Sequence, residues 1–187
     1  MYIEELLITT NEVKVRDSSV ISADGKFSMK IAANDAGIYN LRLQNDGYHF
    51  ATIINDAANI TLNADFNKQF DFYNVSGSPA SKSILDFLAK ISGQQREKFN
   101  YYKQADSIRK NNGDSVLAES LLAKSKDVIN QMKTFANSEV QKADKASLAF
   151  ILLANYQGMA NDPNYGMYVF TDEEVLEIGR ASCRERV

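Results

Sequence analysis

Across 187 residues the chain has one Cys, one His, no Trp and two Pro. A single Cys cannot close an internal disulfide, form a CxxC redox pair or build a Cys-rich zinc site. A single His excludes a His-rich metal centre and leaves a Ser-His-Asp triad only His49 to draw on. No apolar run approaches the length of a membrane span. An excess of positive charge is missing too: 21 Lys+Arg against 24 Asp+Glu give −3. Phosphate neutralisation needs a basic face, so nothing points to nucleic acid as a partner. What is present, 44% apolar and 24% charged residues, is the composition of a folded globular chain, long enough for one ordinary domain plus an appendage.

The two ends depart from this average. Residues 178–187, Ile-Gly-Arg-Ala-Ser-Cys-Arg-Glu-Arg-Val, hold three Arg and the one Cys and have neither helical nor strand periodicity. This string resembles the in-frame translation of a common sequencing-adapter oligonucleotide, so residues 178–187 are expected to be a non-native tail. Without them the net charge moves to −5 and no cysteine remains. Just upstream, Thr171-Asp-Glu-Glu174 has the form of a capping box, with Val175 and Leu176 opening an apolar face, so a helix is expected to be cut off near Glu177. Met1 opens directly in a strand-like run without a basic leader, an apolar leader core or a lipobox cysteine. Either a cytoplasmic protein starts there, or Met1 is internal to a longer chain.

Residues 1–77 read as β. Phe27, Met29 and Ile31 alternate with Ser28 and Lys30, and Tyr39, Leu41 and Leu43 with Asn40 and Arg42. Ile60, Leu62, Ala64 and Phe66 repeat the pattern, as do Phe70 and Phe72 around Asp71. Period two buries one face of a strand and wets the other. Turn signals at Asp24-Gly25, Asp35-Ala-Gly37, Asn45-Asp-Gly47 and Asn55-Asp56 separate these runs. The spacing predicts about seven short antiparallel strands in a β-sandwich.

Residues 78–177 read as helical. Ser78 is placed to cap and Pro79 to open a helix with Ile84, Phe87, Leu88 and Ile91 on one face, ending at Gly93. A second helix is expected over 94–110 with Phe99, Tyr102 and Ala105 inward. A third is capped by Asp114 or Ser115 and carries Leu117, Leu121, Val128, Met132, Phe135 and Val140. A fourth spans about 145–157 with Leu148, Ile151, Leu152 and Tyr156 inward. The fold class is therefore α+β: an N-terminal antiparallel sandwich, then an antiparallel helical segment.

Each functional candidate has a simpler reading beside it. His49 lies in a strand with no nucleophile or orienting carboxylate that the sequence places beside it. Asp35, Asn45-Asp46 and Asn55-Asp56 offer hard oxygen ligands, yet they are the residues that hairpin turns use. Asp17-Ser18-Ser19 with Asp24 lacks a base. Ser76-Gly77-Ser78 precedes a helix but lacks the Lys of a phosphate loop. Tyr101 and Tyr102, with Lys98 and Lys103, could stack on bases or sugars, but one ring must face the bundle. The Met132, Phe135 and Val140 stripe is ordinary helix packing. No catalytic, cofactor-binding or metal-binding residue is assigned.

The run 15–31 with its Asp17-Ser18 and Gly25-Lys-Phe27, then Tyr39-Asn-Leu41, Ile60-Thr-Leu62 and Gly77-Ser78, carries a resemblance in its order and spacing. It resembles the N-terminal domain of unknown function of envelope thioredoxin-like thiol-disulfide oxidoreductases in Gram-negative bacteria. The likeness covers most of 2–92 and, loosely, the helices to Glu177. It implies a spacer or partner-contact module located in the envelope or periplasm. Its partners would be a C-terminal thioredoxin-like domain of the same parent chain, which is missing here, and envelope proteins. The redox chemistry of that family needs a Cys pair that this chain lacks, so no catalytic residue and no cofactor carries over. The alternative is a stand-alone envelope sandwich binding a glycan or peptide, which requires an exposed aromatic platform on a sheet face. A hydrolase using His49 requires Ser or Asp within hydrogen-bond reach of it.

Overall fold

The computed structural model describes residues 1–32, 35–44, 47–68 and 73–184, with side chains as far as Gly179. It divides into two compact units, 1–85 and 86–187, and the architecture is α+β, antiparallel strands followed by helices.

In the first unit β1 (Tyr2–Leu7), β2 (Glu12–Ser18), β3 (Ile38–Arg42) and β4 (His49–Ile54) form an antiparallel sheet in the order β2-β1-β3-β4. β5 (Thr61–Ala64) and β6 (Tyr73–Ser76) form a separate antiparallel pair. Asn11 takes the positive φ that closes the β1–β2 turn, and its N–H donates to the Leu7 carbonyl at 2.8 Å. The register Ile3↔Leu41 and Tyr39↔Ile53 puts these four residues on one face. There they form a core with Met1, Ala51 and Val75, against which Ile60, Leu62 and Tyr73 of the smaller sheet pack. Each large apolar side chain buried this way contributes roughly 1.5–3 kcal/mol.

Two expectations for this half need correction. Phe27, Met29 and Ile31 do turn toward the core and Ser28 and Lys30 away, but 27–31 joins no strand ladder. Side chains replace the missing partner strand: the Asp17 carboxylate accepts the Lys30 N–H at 2.8 Å and the Ser19 hydroxyl accepts the Ser28 N–H at 3.4 Å. β5 stops at Ala64, because Asp65 accepts the Asn67 N–H on its side chain and the Lys68 N–H on its carbonyl; Phe66 consequently lies exposed. The described residues contain six strands. The expected strand around Phe70 and Phe72, and the Asn45-Asp46 turn, lie outside the described residues.

α1 (Pro79–Lys110) begins in the first unit and continues into the second, followed by α2 (Ser115–Lys142), α3 (Ala146–Asn161) and α4 (Asp172–Arg184). The break expected at Gly93 does not occur. Gly93 lacks the positive φ of a helix terminator, and a mid-helix Gly costs only about 1 kcal/mol. The inward face of α1 runs Phe87, Ile91, Gln94, Lys98, Tyr101, Ala105, Ile108, an unbroken alternation of three and four. Phe99 and Tyr102 therefore lie outward and Tyr101 inward, one residue from the expected phase.

Asp114 caps α2 by accepting the Val116 and Leu117 N–H groups at 2.8 and 3.2 Å. The buried stripe of α2 is Ala118, Leu121, Ser125, Val128, Met132, Ala136 and Val140. Leu117, expected inward, is half exposed, and small residues fill the positions that a search for large apolar groups passes over. The Phe87 and Phe135 rings stack at 5.6 Å between α1 and α2. On α3 Leu148, Leu152 and Tyr156 are buried as expected and Ile151 is half-buried.

The capping box at α4 is reciprocal. The Thr171 N–H donates to Glu174 Oε2 at 2.7 Å, and the Glu174 N–H donates to Thr171 Oγ1 at 3.3 Å. The helix runs on to Arg184, through the first residues of the segment expected to be a non-native tail. Ile178 is 5% exposed, while Leu176, expected inward, faces out. Val175 and Ile178, three apart, make the inner face.

Candidate functional site

The most tightly built polar cluster joins the end of β4 to the start of α1. β4 is an edge strand, and alternation turns the N–H groups of Thr52 and Ile54 to the same side. The Thr52 N–H donates to the Tyr73 hydroxyl at 3.5 Å, and the Ile54 N–H to Ser81 Oγ at 2.8 Å. Ser78 Oγ accepts the Ser81 N–H at 3.0 Å, the N-cap bond, with Pro79 at the first helical position. The two hydroxyls lie 2.5 Å apart, and each is within reach of the Ile54 carbonyl, at 3.0 and 3.2 Å. Two protons therefore serve three oxygens: one hydroxyl donates to the other, which donates to the carbonyl. Asp56 Oδ2 accepts the Ala80 N–H at 2.8 Å, which fits a carboxylate at a helix start. Asp56 Oδ1 has no hydrogen-bond partner among the described residues. Gly77 holds φ +86, and a Cβ there would collide with the Asn59 carbonyl.

Both serines are buried and each oxygen is already engaged, so neither is a nucleophile open to substrate. The cluster instead blunts a sheet edge with hydroxyls and ties a helix to it. Tyr73 is pushed up from its ordinary pKa by burial, so its phenol stays protonated.

Two carboxylates on β1 anchor the remaining charge. Glu4 Oε1 accepts from Arg42 Nε and Nη2 at 3.1 and 2.7 Å, and that guanidinium lies 5.1 Å over the Tyr2 ring. Glu5 Oε2 accepts from Arg16 Nε at 2.5 Å. Beside it Tyr39 is fully buried and pushed up, first by that burial and then by the Glu5 charge. The chain passes close to this pair at Gly37, where a Cβ would stand 3.2 Å from both Glu5 Oε1 and the Tyr39 ring; its N–H donates to Asn55 Oδ1 at 2.5 Å.

The sequence candidates do not converge. His49 is exposed at the first position of β4, the end opposite Ile54, and pairs in register with Arg42. No hydroxyl or carboxylate among the described residues hydrogen-bonds its ring, which removes what the hydrolase reading required. Asn55 and Asp56 serve Gly37 and Ala80 as acceptors. Asp17 accepts the Lys30 and Ser18 N–H groups, which hold its carboxyl below the usual range. Ser22 and Asp24 close their own loop around Gly25 and Lys26. Among the described residues no group of three His, Cys, Asp or Glu is placed to hold a metal, and no helix is long and apolar enough to cross a membrane. Among the described residues of the first unit the exposed aromatics, Tyr48 and Phe66, lie outside the strands. Ser81 was missed by sequence reasoning; the signal was its spacing of three from the capping Ser78.

Residues 2–84 match a protein family described as a domain of unknown function, DUF4369. The match ends within the first turns of α1, after the Ser78–Ser81 cluster. No curated protein and no solved structure matches the chain.

Proposed function

We propose that the chain is the non-catalytic N-terminal module of a thioredoxin-like thiol-disulfide oxidoreductase of the Gram-negative envelope, acting as spacer or partner-contact domain. Three things support the reading: the order of motifs from Asp17-Ser18 to Gly77-Ser78, the domain-of-unknown-function match over 2–84, and the construction of α1. The last carries it. α1 is 32 residues long, about 48 Å at 1.5 Å per residue. Its first turn is fixed to β4 by the Ser78, Ser81 and Asp56 hydrogen bonds, as a spacer element requires. The redox step belongs to a Cys pair on the proposed partner domain, and no position of this chain takes part in it.

Long-read sequencing of the locus through and past codon 177 tests the proposal. The expected result is an in-frame thioredoxin-like segment bearing CxxC. A natural stop with no such segment overturns it.

A further inference from the structure

We propose that Asn112–Gly113, between α1 and α2, is a site of self-modification: Asn112 deamidates through a cyclic imide to an isoaspartyl linkage, and the C-terminal cap of α1 sets the rate. The Asn112 N–H donates to the Arg109 carbonyl at 3.3 Å and the Gly113 N–H to the Ile108 carbonyl at 2.9 Å, the paired bonds that close a helix on a left-handed residue. Asn112 is that residue, at φ +51. Gly113 is dictated by space, since a Cβ there would stand 3.0 Å from Ile108 Cγ2 and 3.2 Å from the Ile108 carbonyl oxygen. The cap is thus built on the only Asn-Gly step in the sequence, the step in which no side chain hinders attack by the following nitrogen. Both residues are exposed. Asn111 is tied down, its Nδ2 donating to the Ser107 carbonyl at 2.8 Å, whereas the Asn112 carboxamide makes no hydrogen bond among the described residues.

The step needs no co-reactant but water. The Gly113 nitrogen bonds to Asn112 Cγ, the Cγ–Nδ2 bond breaks, and the amide group leaves as ammonia with the Gly113 proton. Water then opens the imide; cleavage at the Asn112 main-chain carbonyl carbon routes the chain through Cγ and frees a carboxylate. Nothing is oxidised or reduced. In the closed cap Ile108 holds the Gly113 N–H, so attack waits for the last turn of α1 to open. The product cannot close the cap again. Its main chain is longer by one carbon, which carries the N–H away from the Ile108 carbonyl, and the new carboxylate lies at the negative end of the α1 dipole. Modification therefore loosens the connection between α1 and α2. The site is independent of the oxidoreductase reading.

Incubation of the full chain at mildly alkaline pH, read by intact mass, peptide mapping and isoaspartyl methyltransferase labelling, tests this, with a peptide of residues 107–117 as the uncapped comparison. Conversion is expected at Asn112 first, at a rate about tenfold or more below that of the peptide, because two backbone bonds must open beforehand. Asn112→Gly keeps a residue suited to positive φ and should abolish the label with unchanged circular dichroism. Ile108→Ala, which removes the side chain packed against Gly113, should speed conversion severalfold, as should urea below the unfolding midpoint. Absence of conversion long after the peptide is spent, a rate equal to the peptide's, earlier conversion of another asparagine, or a rate indifferent to both Ile108→Ala and urea would each overturn the proposal.

Discussion

Replacing Ser81 by Ala removes one oxygen from the place where helix α1 meets strand β4, and the consequences can be followed atom by atom. The Ile54 N–H loses its 2.8 Å acceptor, and Ile54 is 0% exposed, so water cannot take the acceptor's place. The Ile54 carbonyl keeps the Ser78 hydroxyl at 3.0 Å, and that hydroxyl, freed from Ser81, donates there alone. One buried N–H is thus orphaned, at a cost of about 1–3 kcal/mol, while Ala in place of Ser returns about 0.5 kcal/mol of helix propensity. The net expectation is a loss of about 1–2 kcal/mol. Urea unfolding followed by circular dichroism should show a lower midpoint at unchanged slope, and hydrogen exchange should show the Ile54 amide losing protection. Ser83→Ala is the control, since Ser83 is exposed and bonds only the Pro79 carbonyl; it should fall within about 0.5 kcal/mol of the parent. Parental stability in Ser81→Ala with a still-protected Ile54 amide would refute the account of the cluster.

Glycine substitutions on either side of this helix start should have opposite signs. Gly93→Ala, in an open helix interior where the new Cβ meets only the end of Arg96 at 3.9 Å, should stabilise by about 1 kcal/mol; Gly77→Ala, at φ +86 against the Asn59 carbonyl, should destabilise by about 1–3 kcal/mol, both read as urea midpoints. Ile178→Ala should cost about 2–4 kcal/mol because Ile178 is 5% exposed; a shift in thermal midpoint below what about 0.5 kcal/mol produces would mean that α4 is undocked there. The Glu174 carboxyl is held below its ordinary range, first by Lys133 at 2.8 Å and then by the Thr171 N–H. A depressed carboxyl stabilises fully above its unfolded pKa and less as pH falls through the folded one. Amide protection in α4 should therefore weaken as pH drops below about 4.5, and Glu174→Gln should flatten that dependence.

How far the sequence discloses this molecule depends on whether a signal is local. The capping box at Thr171, the cap at Asp114 and the alternation through Tyr39 and Leu41 involve neighbours within a few residues, and all three form as expected. The segment 27–31 alternates correctly yet pairs with no strand, because side chain acceptors on Asp17 and Ser19 take its N–H groups. No periodicity distinguishes those acceptors from a neighbouring strand. The Ser81 bond to Ile54 spans 27 residues, so only the fold reveals that the hydroxyl covers a sheet edge. In α4 the residues from 178 on look aperiodic by composition, yet the helix continues to Arg184, with Val175 and Ile178 on its inner face.

The error in α1 has a single source, and it bears on what the helix is for. A search for large apolar residues loses the seam at Gln94 and Lys98, reads Gly93 as a stop, and restarts one residue late on Phe99. The seam never breaks; it becomes polar. Gln94 is 6% exposed and its Oε1 has no hydrogen-bond partner among the described residues, Ser125 Oγ donates to the Lys98 carbonyl at 3.4 Å, and Lys98 reaches across to the Tyr165 carbonyl. Apolar residues at these positions would pack with less desolvation cost. They would also slide, since leucine-like seams fit in more than one register. Ser125 and Lys98 instead address single carbonyls, on α1 and on the segment between α3 and α4, and so tie α2 and the Tyr165 segment to α1 at fixed positions. The polar layer gives up stability for position: it fixes the Tyr165 carbonyl, and with it the α3–α4 segment, against α1.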